Sequence, residues 1–178
     1  MKRNDRLCVT TVALVWLVSS GLQAQGSVGG VVWKPWQFLI GEWMGKGEGT
    51  PGSGTGGFTF APDLQNTILV RRNFARYPAT GDKAAYAHDD LMVIYYEEGS
   101  AKAVYFDNER HIIHYTVTFA GDSSSVVFLG DSAPSDPRYR LTYSKHGEDE
   151  VGIVFEIARP GSPEAFTRYI EATAQREK

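Results

Sequence analysis

An all-β fold, a single antiparallel meander barrel of about nine to ten strands, is what this sequence predicts. Three observations carry that reading. Turn signals recur at intervals of about 8 to 12 residues. The segments between them are rich in Val, Ile, Thr, Tyr and Phe, which suit a pleated, half-buried surface. Apolar residues alternate with a period of two rather than at helical spacing, and no heptads are present.

The strands follow in order after Phe38. The stretch "GEWMGKGEG" alternates Trp43, Gly45 and Gly47 against Met44, Lys46 and Glu48. Its glycines fit a first strand that bends sharply and passes close to other backbone. Trp43 is then placed to plug one end of the barrel. A phosphate-cradling loop is the other use of such glycines, but the strand–loop–helix context and the Lys-Ser/Thr ending are missing. "TPGSGTGG" reads as a loop, "FTFAPDLQN" as a short strand and turn, and "NTILVRRNFARY" as a long strand. Pro78 and Gly81 break the chain before "DDLMVIYYEEGSAKAVYFDNERHIIHYTVTF", which divides into three strands at Glu98-Gly99-Ser100 and Asn108-Glu109-Arg110. "SSVVFLGD", "PRYRLTYSKHG" and "EVGIVFEIA" follow. "EAFTRYIEATAQ" fits either period; a closed barrel needs it as a last strand to pair with the first.

Alternation assigns faces. His111, Ile113, Tyr115, Val117 and Phe119 share the inner face of one strand, Tyr139, Leu141 and Tyr143 that of another, and Val151, Ile153, Phe155 and Ile157 that of a third. A barrel of this size has more interior than side chains readily fill, so a cavity is expected.

The segment before the barrel has a different character. Lys2, Arg3 and Arg6 precede an apolar stretch from about Leu7 to Val18, then small residues up to Ala24. This is the layout of a secretory signal peptide over residues 1–24, and the stretch is short against the roughly 20 residues that span a bilayer. Residues 25–36 read as a Gly-rich linker and 37–178 as the barrel. The expected location is the periplasm or the outside of the cell, with no stable membrane insertion after cleavage. The one cysteine, Cys8, lies in the leader, so the mature chain has no thiolate metal site or disulfide framework. The formal charge is −3, and removing three basic residues and Asp5 leaves the mature chain near −5, which argues against nucleic-acid binding.

Polar residues on the strands are the candidate site. "YFDNERHIIH" groups Tyr105, Asp107, Asn108, Glu109, His111 and His114. His111 and His114 point to opposite faces of a strand and make poor joint metal ligands. Asp107 and Asn108 either cap the hairpin turn or join His88, Asp89 and Asp90 of "AHDDL" in a polar rim suited to metal binding or acid–base work. One of Arg71 and Arg72 must face inward. Arg72 shares its row with Ile68, Val70 and Phe74, so it is the inward candidate, facing either Glu156 or Asp90 or the acid group of a ligand. There is no Gly-x-Ser-x-Gly elbow for a nucleophilic serine. The expected ligand-contacting set is Trp43, Arg72, His88, Asp90, Tyr105, Asp107, His111 and Tyr143, with no catalytic residue assigned.

The run "FLIGEWMGKGEG", a Gly-rich loop, "FTF" and "LVRRNFARYP" resembles the opening of nitrobindin-like and calycin-like β-barrels. Across about residues 34 to 177 the chain looks more closely like a bacterial family of secreted proteins of unknown function, in which "HDDLMVIYY", "AVYFDNERHIIHYTV" and "FEIARPGSPEAFTRYIEATAQR" recur. The resemblance implies a barrel with a central pocket for a small hydrophobic, amphipathic or planar ligand. Nitrobindins hold haem iron through a histidine near the C-terminus; the matching "YIEA" puts Tyr169 there, and no histidine lies beyond His146. Tyrosine can ligate haem iron, so haem is the alternative ligand, and an enzyme using the His/Asp rim is a third reading.

Overall fold

The computed structural model describes residues 33–50 and 54–178, with backbone alone for 46–50. The expected leader and most of the expected linker lie outside the described residues. Ten strands form: β1 (Gly41–Thr50), β2 (Thr55–Asp63), β3 (Ile68–Tyr77), β4 (Tyr86–Glu97), β5 (Ser100–Asp107), β6 (Ile112–Phe119), β7 (Ser125–Gly130), β8 (Arg138–Lys145), β9 (Glu150–Ala158) and β10 (Phe166–Arg176). Each pairs antiparallel with the next, and β10 pairs with β1, so the meander closes with no free edge. The closure settles the ambiguous C-terminal segment as a strand.

Tight turns set the register. Glu97 pairs with Ser100, and Glu98 and Gly99 between them take φ of 50° and 79°, the geometry that matches strand twist in a two-residue hairpin. The loop expected over 50–57 is shorter than its composition suggests, because Thr55, Gly56 and Gly57 already pair with β3.

Gly57 shows what the glycines of the first hairpin do. A Cβ there would stand 2.6 Å from the Trp43 carbonyl oxygen and 2.7 Å from Met44 Sδ, so β1 and β2 can approach only without it. Gly41 bends the chain into β1 at φ 130°.

One end of the barrel is closed by aromatic residues. A 3-10 turn at Lys34–Trp36 carries Trp33 and Trp36 into the core, where they join Leu39 and Trp43. Two of the residues read as linker are therefore part of the barrel's packing. Trp36 is fully buried and meets Phe119 edge-on at 4.9 Å and Phe128 at 5.8 Å. Trp43 stacks on Phe58 at 6.0 Å, and its indole N–H donates to the Leu39 carbonyl at 2.8 Å. The inner rows of β6, β8 and β9 are those the alternation predicts.

Candidate functional site

Above this aromatic floor lies a cavity of about 470 Å³, reaching the surface between β3, β4, the β5–β6 turn and the first half of β10. Its walls are largely apolar and aromatic, with Phe58, Ile113, Tyr115, Leu141, Ile153 and Phe155 prominent. Its polar groups are concentrated on β3, β4, β5 and the turn that follows.

Register explains the grouping. Asn73 of β3 pairs with Asp90 of β4, and Asp90 pairs with Asp107 of β5. Arg71 and His88 sit two residues from these on the same face. Arg71, not Arg72, is the buried arginine: it forms an ion pair with Asp90, the two side chains being 7 % and 3 % exposed. Arg72 is exposed on the outer face, which corrects the sequence expectation. The cause is physical. The inner row of β3 is anchored by Leu69 and then runs polar, through Arg71 and Asn73, because it lines a polar part of the cavity. The more apolar row of this strand is therefore the outer one.

A continuous hydrogen-bonded chain crosses the site. Asn73 Nδ2 donates to Asp90 Oδ2 at 2.8 Å. His88 Nε2 lies 3.3 Å from Asp90 Oδ2 and 3.1 Å from the Tyr105 hydroxyl, and His88 Nδ1 lies 2.8 Å from Glu109 Oε1. Tyr105 donates to Asp107 Oδ2 at 3.2 Å. The same oxygen meets His111 Nδ1 at 2.8 Å. Asp107 Oδ1 accepts the backbone N–H groups of Glu109 and His111, each at 2.9 Å, so Asp107 both caps the turn and joins the rim. Tyr86 donates to Glu109.

The charges hold one another. Burial opposes ionisation of Asp90, yet Arg71, His88 and Asn73 keep its carboxyl below the usual range. The hydrogen bond to Asp90, against desolvation and helped by Glu109, raises His88 to about 9. Burial, with Asp90 and Asp107 beside it, raises the Tyr105 phenol, so Tyr105 serves as a donor. Burial pushes Tyr143 up to about 12. The Arg71 guanidinium perturbs the Tyr143 phenol, but the two do not meet in hydrogen-bonding geometry: Arg71 Nε and the Tyr143 hydroxyl are buried and without a partner.

His88 gives a pH prediction. Its folded pKa is raised above the ordinary value near 6.5, so its stabilising contribution is complete below about pH 6.5 and is lost as pH rises through about 9. The melting temperature should fall across that window, and His88→Gln should flatten the fall. An equal slope in the variant would remove His88 as its cause.

Of the eight expected contact residues, His88, Asp90, Tyr105, Asp107, His111 and Tyr143 line the one cavity. Arg72 is outside it. Trp43 is also corrected: it belongs to the floor packing beneath the cavity, not to its lining. Sequence reasoning missed Arg71, Asn73 and Tyr86. Asn73 was reachable by stepping two residues from Arg71, had the row been chosen correctly; Tyr86 carried no signal.

Two cofactor readings can be tested on this geometry. Ligand atoms of His88, Asp107 and Glu109 lie within 4.8 Å of one another. A divalent ion would have to displace the His88–Glu109 hydrogen bond to sit among them. Tyr169, matched to the haem ligand by resemblance, is 53 % exposed at a register shift in β10, edge-on to Phe155 at 6.2 Å. Its phenol lies on the cavity wall, at the accessible side of the pocket.

The fold and cavity together define a closed ten-stranded antiparallel β-barrel with an internal pocket. Rv2717c from M. tuberculosis, known from its crystal structure, is a structural neighbour: TM-score 0.55, 16 % sequence identity, 83 % of this chain and 98 % of that one covered. At that identity the likeness concerns the fold alone. No protein-family model and no curated protein matches the chain.

Proposed function

We propose that this barrel binds a small hydrophobic or amphipathic molecule in its interior, without turnover. The observation that carries the reading is the cavity itself: about 470 Å³, closed below by packed tryptophans, apolar on most of its wall and polar on one side. That volume and that mix of lining are typical of small-molecule pockets. The polar side fixes orientation, and the aromatic wall supplies contact area. The proposed setting is the periplasm or the exterior, from the leader-like residues 1–24, and the acidic mature chain fits no nucleic-acid partner.

Native mass spectrometry of the mature protein, purified from the compartment into which an expressing cell delivers it, tests the proposal. A discrete added mass that organic solvent removes is the expected result. A bare mass that stays bare after incubation with cell lipid extract would count against it.

A further inference from the structure

We propose that the polar end of the cavity selects a neutral oxygen acceptor, a carbonyl or hydroxyl on an otherwise apolar ligand, and disfavours a carboxylate. This rests on the binding reading above and sharpens it to a ligand class.

Two independent observations carry it. The first is a pair of orphaned polar atoms. Arg71 Nε and the Tyr143 hydroxyl are both buried without a hydrogen-bond partner, on residues that are 6 % and 0 % exposed and that line the same cavity. Buried polar atoms in native proteins are almost always paired, so two orphans at one pocket call for an occupant. Arg71 Nε–H can only donate, and the Tyr143 hydroxyl can donate or accept. A ligand oxygen can accept from either.

The second observation is the charge around that point. A lone inward arginine in a barrel would attract an acid. Here Asp90 already neutralises Arg71. The other ionic groups on the cavity wall are His88, His111, Asp107 and Glu109. Three carboxylates thus face one permanent cation and two histidines. With both histidines protonated the set is neutral; with either one neutral it is negative. Under no protonation of the histidines does the wall carry the net positive charge that would compensate a ligand carboxylate for leaving water. A carbonyl or hydroxyl brings no charge and keeps the hydrogen bonds.

The test uses the mature chain and the neutral fluorophore N-phenyl-1-naphthylamine, displaced in turn by decan-2-one, decan-1-ol and decanoate at pH 8. The ketone and alcohol are expected to displace it at concentrations at least tenfold below decanoate. Tyr143→Phe should weaken the ketone severalfold and leave decanoate nearly unchanged. Asp90→Asn, which removes one carboxylate but keeps an amide beside Arg71, should tighten decanoate about tenfold. If Asp90→Asn does not fold, the wild type and Tyr143→Phe still decide. Decanoate binding as tightly as the ketone in the wild type, or a ketone affinity untouched by Tyr143→Phe, overturns the inference while leaving ligand binding intact. Failure of the fluorophore and of all three displacers to bind overturns the binding reading, and this inference with it.

Discussion

Replacing Asp90 with Ala is expected to destabilise the barrel by about 3–5 kcal/mol, because it leaves the buried Arg71 charge without its ion-pair partner. Arg71 is 7 % exposed at its side chain, and Asp90 is its ion-pair partner. The reciprocal change, Arg71→Met, should cost clearly less. Asp90 would keep His88 at 3.3 Å and the Asn73 amide at 2.8 Å, and the methionine can pack on the Phe58 and Tyr143 rings that flank Arg71. The asymmetry is the informative part, since an ordinary surface pair would give small and similar losses. Urea denaturation of both variants measures it. Equal losses would mean that Asp90 is compensated by Arg71 alone, against the network described above.

The second large effect concerns the closed end. Trp36→Ala should cost about 3–5 kcal/mol, the usual range for truncating a buried aromatic. Trp36 touches Phe60, Phe119 and Phe128 and donates to the Tyr96 hydroxyl at 3.3 Å, so its removal opens a void between opposite walls of the barrel. The same denaturation experiment applies. A loss below about 1 kcal/mol would show that the turn before β1 lies on the barrel without closing it.

Much of the fold was legible in the sequence because most strands obey one rule. Where a strand has an apolar row and a polar row, the apolar row faces in; β6, β8 and β9 follow it. The rule fails on β3, where the wall of a polar cavity puts Arg71 and Asn73 inside and leaves Phe74 36 % exposed. Alternation detects dry interior, and a binding cavity is the place where the interior is not dry. Asp90 was one of the two partners expected for an inward arginine, but the choice between it and Glu156 was open for another reason. The pairing of Asn73 with Asp90 depends on the register across the loop from Pro78 to Ala85, and composition does not give that register. The rim itself was readable, since Tyr105, Asp107 and His111 are close in sequence and His88 lies on the neighbouring strand. Trp33 and Trp36 were masked by the glycines before them. Two tryptophans flanking Lys34-Pro35 were the signal that the core begins earlier.

The central claim is that the cavity is a binding site. The most direct measurement is a titration of N-phenyl-1-naphthylamine into the mature wild type and into Ala172→Trp. Ala172 lies on β10, paired with Ile153 of β9, and lines the cavity, so an indole there occupies space a ligand needs. The account predicts saturable binding at one site per wild-type chain, lost in a variant that still melts cooperatively. Equal binding by the two proteins, or none by the wild type, would contradict it.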